Sequence, residues 1–125
     1  MAWFITTLGA FSVVEKDSDK PTGTLTIRSR VRSDLENLRN RYLPDMGEIS
    51  ESTWSYYKFR AIADREAVSA AMAALVADID YDNFKAATAS RQGYDRASVY
   101  GDVWTVLYGL QSGRFEEPPD EPRMI

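Results

Sequence analysis

The clearest pattern in the chain is a strict alternation of apolar and polar side chains over residues 24–32. Because successive side chains of a β-strand point to opposite faces, this alternation predicts a strand with an apolar face and a basic face. The apolar set is Leu25, Ile27, Ser29 and Val31, and the opposite set is Thr26, Arg28, Arg30 and Arg32. Aromatic and β-branched residues at 3–7 and 10–15 predict more strand, either one long bent strand or two short strands around Gly9. Turn-forming residues at 17–23 predict a hairpin that joins this region to the strand at 24–32.

A helix is predicted directly after the alternating strand. Ser33 and Glu36 have the spacing of a capping box, and Pro44 ends the helix. Aromatic-rich residues 54–62 then predict another strand. Since a helix connects it to the strand at 24–32, a parallel arrangement of these two strands is favoured.

Three further helices are predicted after residue 63. Asp64 caps the first, whose buried stripe is Ala67, Val68, Ala71, Met72, Leu75, Val76 and Ile79. Asp82 or Asn83 caps the second, which ends at Gly93. Asp95 caps the third, and its predicted buried side is Val99, Tyr100, Val103, Trp104, Leu107 and Leu110.

This order of elements predicts an α+β fold. We expect a small antiparallel or mixed sheet of three to four strands with helices packed on one face, a ferredoxin-like two-layer sandwich or a variant of it. No strand follows the second helix to complete a β-α-β-β-α-β order. Residues 1–112 are expected to form one α+β domain, and residues 113–125, which are acidic and rich in proline, a disordered tail.

The composition limits the reactions that this protein could catalyse, because the 125 residues include no histidine and no cysteine. A Ser-His-Asp triad, a thiolate nucleophile and a cysteine-ligated metal are therefore excluded, and we expect no enzymatic activity and no cofactor. The net charge is −4, which disfavours nucleic acid as a partner. No apolar run is long enough to span a membrane and no signal peptide is recognisable, so a cytoplasmic location without membrane binding is expected.

One candidate site is a basic and aromatic sheet face. Its predicted members, which share one parity on their strands, are Arg28, Arg30, Arg32, Trp54, Tyr56, Lys58 and Arg60. Guanidinium groups beside aromatic rings on an open sheet can hold a nucleotide or a single-stranded nucleic acid, or form a protein interface. The alternative is a solvated face whose arginines pair with carboxylates such as Asp34 or Glu36.

A second candidate is an aromatic stripe on the last helix. Tyr100, Trp104 and Tyr108 recur every four residues, and Tyr94 precedes them. Such a stripe packs into the core, forms a subunit interface if it is partly exposed, or lines a ligand pocket.

Two motifs suggest sites that the sequence does not support. Asp78, Asp80 and Asp82 have calcium-loop spacing, but Asn83 stands where an EF-hand needs glycine, so no metal site is predicted. Ser55 and Lys58 have the S-x-x-K spacing of serine acyltransferases, but on a strand they would face opposite sides.

Several blocks of sequence resemble a family of small uncharacterised bacterial cytosolic proteins, a domain of unknown function. The blocks are FITTLGAFSVV, LTIRSRVRSDLENLR, YLP, IDYDNFKAA and RASVYGDVW, and they cover most of residues 3–108. The resemblance implies a free-standing cytosolic domain and assigns no catalytic residue.

The function predicted from these observations is a non-enzymatic interaction module that self-associates, plausibly as a homodimer, or binds a protein partner. One alternative is a small-ligand or single-stranded nucleic-acid binder that uses the basic and aromatic sheet face. Others are a phage-related or host-defence-related factor, and an enzyme whose carboxylates perform all acid–base steps.

Overall fold

The computed structural model describes residues 1–113, which form an antiparallel five-stranded sheet and four α-helices. The strands are β1 (Ala2–Ile5), β2 (Ala10–Val14), β3 (Thr24–Ser29), β4 (Ser50–Glu51) and β5 (Phe59–Asp64). The helices are α1 (Arg32–Arg41), α2 (Arg65–Ala77), α3 (Phe84–Gln92) and α4 (Tyr94–Gln111). The spatial order of the strands is β1-β2-β3-β5-β4. The predicted disordered tail lies outside the described residues from residue 114 onward.

The fold is α+β as predicted, with a larger sheet than the expected three to four strands. Residues 3–15 form two short strands joined by a hairpin, which is one of the two predicted alternatives, and the unpredicted two-residue β4 adds a fifth strand at the edge. The Thr6 amide donates to the Gly9 carbonyl (2.9 Å) within the β1–β2 turn. A ferredoxin-like sandwich is not confirmed.

Strands β3 and β5 are antiparallel, so the favoured parallel pairing is wrong. After α1 the chain reverses a second time at the β4–β5 hairpin, and this reversal turns β5 around. The hairpin loop is closed by the Ser52 amide, which donates to the Lys58 carbonyl (2.8 Å). The predicted strand at 54–62 therefore begins only at Phe59, although its first residues have high strand propensity.

The hydrophobic core lies between one face of the sheet and the helices α1 and α2. The alternation predicted for residues 24–32 holds only over Thr24–Ser29, where Ile27 is fully buried on the core face. The predicted end of the strand is wrong, because α1 begins at Arg32 and Val31, predicted on the apolar face, is exposed. The core residues are Phe11, Val13, Ile27, Leu35, Leu38, Leu43, Met46, Ala61, Ala63, Val68 and Ala71. The opposite face of the sheet has neither α1 nor α2 on it.

The helix starts follow the predictions only in part. The capping box of Ser33 and Glu36 is wrong, because α1 begins at Arg32 after Val31 and no side chain caps it. Asp64 occupies the N-cap of α2, also without a side-chain hydrogen bond. Asn83 does cap α3, since its Oδ1 accepts from the Ala86 amide (2.9 Å).

Helices α3 and α4 form a hairpin around Gly93. Gly93 ends α3 as predicted and also occupies the N-cap of α4, so Asp95 lies in the first turn and is not the cap. The predicted buried side of α4 is wrong for most of its members, because Tyr100 is buried whereas Val99, Trp104, Leu107 and Leu110 are exposed. Within residues 1–113, no helix has both the length and the apolar character needed to cross a membrane.

Candidate functional site

The face of the sheet opposite the core carries a row of basic and aromatic residues. The strand register places Trp3 beside Ser12, Ser12 beside Arg28, and Arg28 beside Arg60. Facing residues on neighbouring strands project to the same side, so these four side chains share one face. We call Trp3, Arg28, Arg30, Tyr57 and Arg60 the basic face.

Tyr57 organises the arginines of the basic face. The guanidinium carbons of Arg28 and Arg30 lie 4.6 and 4.3 Å from the centroid of the Tyr57 ring, which is the geometry of a cation–π contact. Arg28 also donates from Nη2 to the Ser12 hydroxyl (2.8 Å), and Trp3 donates from Nε1 to the Tyr57 hydroxyl (3.0 Å). Both guanidinium groups are thus oriented before any ligand binds.

The pKa of the Tyr57 hydroxyl depends on its burial, its hydrogen bonds and the nearby charge of Arg30. Burial alone would raise the pKa of the Tyr57 hydroxyl, but hydrogen bonding with Ser12 and Trp3 and the charge of Arg30 lower the pKa below its ordinary value. The hydrogen bonds of the phenol are thus the main cause of the lowered pKa, and the charge of Arg30 adds to them.

The positive charges of the basic face have no carboxylate partners within residues 1–113. Arg28, Arg30 and Arg60 form no ion pair with any carboxylate in this part of the chain. The Nε atom of Arg60 is buried and has no hydrogen-bond partner there. The alternative in which Asp34 and Glu36 neutralise this face does not hold for these three arginines, because those carboxylates pair with Arg96 and Arg32.

Four predicted members of the face lie elsewhere. Arg32 is the first residue of α1 and pairs with Glu36 (3.9 Å). Lys58 ends the β4–β5 loop and pairs with Glu51 (3.4 Å). Trp54 and Tyr56 lie in that loop, with 97% and 94% of their surfaces exposed. Their assumed common parity fails because the loop is not a strand.

Sequence reasoning missed Trp3 and Tyr57, which hold the arginines in place. Trp3 could have been found, because it shares the strand face of Ser12 once the first two strands are paired as a hairpin. Tyr57 gave no such signal, since its position depends on the irregular path of residues 52–58. The loop turns where the Ser55 hydroxyl accepts from the Tyr57 amide (3.2 Å), which is a local side-chain-to-backbone turn.

A notch of about 280 Å³ lies between this side of the sheet and α4. Its lining combines apolar side chains with a few polar ones. The lining includes Trp3, Ile5, Arg30, Tyr57, Val99 and Val103.

The floor of the notch includes a buried ion pair. Arg96 of α4 donates from Nη1 to both carboxylate oxygens of Asp34 (2.8 and 3.0 Å), and Asp34 also accepts from the Ala10 amide (3.0 Å). Burial alone would lower the pKa of Arg96, but its hydrogen bonds to Asp34 and Tyr100 raise it. Arg96 thereby compensates the negative charge of Asp34. Within residues 1–113, Arg30 is then the charged lining residue of the notch that has no ion-pair partner.

The second half of α4 forms an exposed apolar surface. Phe84 at the start of α3 stacks on Tyr100 (ring centroids 5.6 Å apart), and beyond this point α4 extends past α3. We call the exposed residues the α4 apolar surface: Val99, Trp104, Val106, Leu107, Tyr108 and Leu110. Trp104 and Tyr108 stack on each other (5.2 Å) while remaining exposed. Of the predicted aromatic stripe, only Tyr100 is therefore buried in its own chain.

Another cavity, of about 640 Å³, is lined in part by Asp78 and Asp80 of the acidic segment between α2 and α3. Its two lining carboxylates already have partners, since Arg91 pairs with Asp80 (3.0 Å) and the Tyr42 hydroxyl donates to Asp78 (2.7 Å). Residues 1–113 contain no group of three or more carboxylates that could hold a metal ion.

Comparisons with protein-family models, with curated proteins and with solved structures give no match for this chain. The resemblance to small bacterial proteins therefore stays a prediction, and the function has to be argued from the two surfaces described above.

Proposed function

We propose that this protein is a non-enzymatic interaction module that self-associates through the α4 apolar surface. The observation that carries the proposal is an uncharged run, residues 103–110, on a helix whose side chains there are mostly exposed. A helix that is apolar on most of its circumference is normally buried. The cost of leaving this surface in water is removed when a second copy covers it.

The unequal lengths of α3 and α4 leave room for a second copy. α4 has 18 residues and α3 has 9, so within residues 1–113 about half of α4 extends beyond α3. The uncovered run of residues 103–110 is about 12 Å long at the helical rise per residue. If α4 of a second copy lay antiparallel to it, the two uncovered runs would contact each other along their whole length.

A second copy suits this surface better than an unlike partner, because the surface carries no charge pattern. Charged residues select orientation and partner at helix interfaces, and residues 103–110 contain none. A two-fold axis beside this run brings each apolar residue against an equivalent apolar surface, as in the isologous dimers that dominate homo-oligomers. Trp104 and Tyr108 are aromatic residues of the kind enriched at such interfaces.

The test replaces an exposed valine of the α4 apolar surface with glutamate. We expect the full chain to form a dimer, and Val106→Glu to weaken dimerisation at least about thirtyfold, because a buried unpaired charge costs about 2 kcal/mol or more. Sedimentation equilibrium over a range of protein concentrations measures both dissociation constants.

Val76→Glu is the matched control. Val76 on α2 is 64% exposed and Val106 is 61% exposed, so the two substitutions place the same charge on helix surfaces of equal accessibility. Val76→Glu should dimerise like the unaltered chain. A monomeric unaltered chain, or equal loss of dimer in both variants, would contradict the proposal.

A further inference from the structure

We propose that the notch between the basic face and α4 binds a small aromatic anion, a single ring that carries a carboxylate or a phosphate group. The ring would lie between the apolar walls, and Arg30 would bind the anionic group. This site is formed within one copy of the chain. Its α4 wall, Val99 and Val103, also belongs to the part of α4 that the proposed dimer covers, so the ligand and the second copy would share this wall.

The apolar walls come from two parts of the fold. Trp3 and Ile5 belong to β1, and Val99 and Val103 belong to α4. Trp3 is held by its hydrogen bond to Tyr57, so this wall is fixed by the fold. Ligand sites are typically apolar clefts with a small number of placed polar groups, which is the composition found here.

The charge at the rim selects an anion. Arg30 is exposed, lies over the Tyr57 ring, and has no carboxylate partner within residues 1–113. Arg28 lies over the same ring and adds a second positive charge. A guanidinium already positioned by a ring loses less freedom on binding a carboxylate or phosphate, which it can contact through two parallel hydrogen bonds.

Size limits the ligand to one ring. The volume of about 280 Å³ lies just below the usual range for sites that hold drug-sized molecules. A single-stranded nucleic acid needs a groove that follows several nucleotides, and the net charge of −4 opposes a polyanion. A small monoanion or dianion does not need such a long groove, and it carries far less charge than a polyanion.

The experiment titrates the full chain with four probes and follows backbone amides by NMR. The probes are benzoate, phenyl phosphate, neutral benzamide and inorganic phosphate. We expect benzoate or phenyl phosphate to shift the amides of Trp3, Ile5, Val99 and Val103, and benzamide to bind at least about tenfold more weakly because it lacks the charge. The stronger of the two anions identifies the anionic group, and weak binding of inorganic phosphate shows that the ring contributes.

The variant Arg30→Gln should weaken anion binding at least about tenfold. Arg39→Gln is its control, since Arg39 on α1 lines none of the cavities described and should leave binding unchanged. Because Arg30 is exposed, the fold should tolerate the substitution, and the amide spectrum of the free variant checks this.

Three outcomes would overturn the proposal. Equal binding of benzamide and benzoate would remove the role of Arg30. Absence of shifts in the notch at about 10 mM of both anions would remove the site. Tighter binding of a short oligothymidylate than of phenyl phosphate would identify a nucleic-acid surface instead. Titration of the unaltered chain at protein concentrations below and above its dimer dissociation constant separates this site from dimerisation, because a notch formed within one copy is present in the monomer.

Discussion

At the scale of single residues, Asp19 shows how a buried carboxylate fixes the entry to the central strand. Its carboxylate is 1% exposed and accepts from the Lys16 amide (2.8 Å), the Thr24 hydroxyl (2.6 Å) and the Thr26 hydroxyl (2.8 Å). Burial alone would raise the pKa of Asp19, but these hydrogen bonds lower the pKa below its ordinary value. Asp19 belongs to a short 3-10 helix, Asp17–Thr22, where the sequence predicted only a turn.

The lowered pKa of Asp19 predicts a pH-dependent contribution to stability. Asp19→Asn should lower the free energy of unfolding by about 2 kcal/mol near neutral pH, since the amide presents a donor to groups that already donate. A group with a depressed folded-state pKa stabilises above its unfolded-state pKa, and loses this effect as the pH falls through its folded-state pKa. The difference between the two proteins should therefore shrink below about pH 3.9.

Urea denaturation at a series of pH values measures this difference. Asp17→Asn is the control, because Asp17 lies in the same 3-10 helix but its side chain is fully exposed. It should change stability little at any pH. A constant deficit of Asp19→Asn from neutral to acidic pH would show that the carboxylate charge does not matter.

At the scale of elements, Asp34 joins three parts of the fold. It lies on α1, accepts from the first amide of β2 at Ala10, and binds Arg96 on α4. Gly9 precedes β2 and lies so close that an added Cβ would be 2.6 Å from the Asp34 Cγ. The glycine is required here by this close approach and not by its backbone conformation, since its φ is not positive.

Gly9→Ala should therefore destabilise the protein by about 2 kcal/mol, since a methyl group forced against a well-packed site costs on the order of 1–3 kcal/mol. Gly101→Ala within α4 is the contrasting variant, because its added Cβ meets no atom within 4 Å. It should raise stability by about 0.5–1 kcal/mol through helix propensity. Thermal unfolding followed by circular dichroism compares the two, and equal shifts in both variants would contradict the close contact.

These elements also show what local sequence could predict. The alternation of β3, the helix α2 and a cap at Asp82 or Asn83 depend on neighbouring residues, and the sequence predicted each of these elements. The buried stripe predicted for α2 is wrong at its end, because Val76 and Ile79 are exposed and the helix stops at Ala77. The path of the chain before β5 and the partner of Asp34 depend on distant contacts, since Tyr57 packs beneath Arg28 and Asp34 binds Arg96 across the molecule. Of the candidate site, the common face of Arg28 and Arg60 was predictable, whereas Tyr57 and the notch were not.

At the scale of the whole molecule, the described residues divide into a core and an attached hairpin. The core cluster contains residues of the sheet, α1 and α2 and the segment after α1, but none of α3 or α4. The hairpin is held to the rest mainly by polar contacts: Arg96 binds Asp34, while Arg91 and Gln92 bind Thr7 (2.8 and 2.6 Å). Because α3 and α4 contribute no residue to the apolar core cluster and are attached to it through a few side chains, the hairpin should open before the core unfolds.

Hydrogen–deuterium exchange tests this division. In Val106→Glu, where dimerisation is removed, the amides of α3 and α4 should exchange faster than those of β3 and α1. In the unaltered chain, protection of residues 103–110 should increase with protein concentration. Uniform protection across the core and the hairpin would show that the described residues unfold as one cooperative unit.

In strand β3 and the turn after it, neighbouring residues alternate between a structural role in the interior and a place on the basic face. Ile27 and Ser29 point into the interior and Asp34 anchors α4, whereas Arg28 and Arg30 point to the basic face. From Ile27 to Arg30, tolerance to substitution should therefore alternate with the pleat of the strand. Thr26 has the parity of Arg28 but is buried and donates to Asp19, so changes there should destabilise the fold. Changes at one parity would reduce the yield of folded protein, and changes at the other would leave a well-folded protein that has lost its affinity for anions.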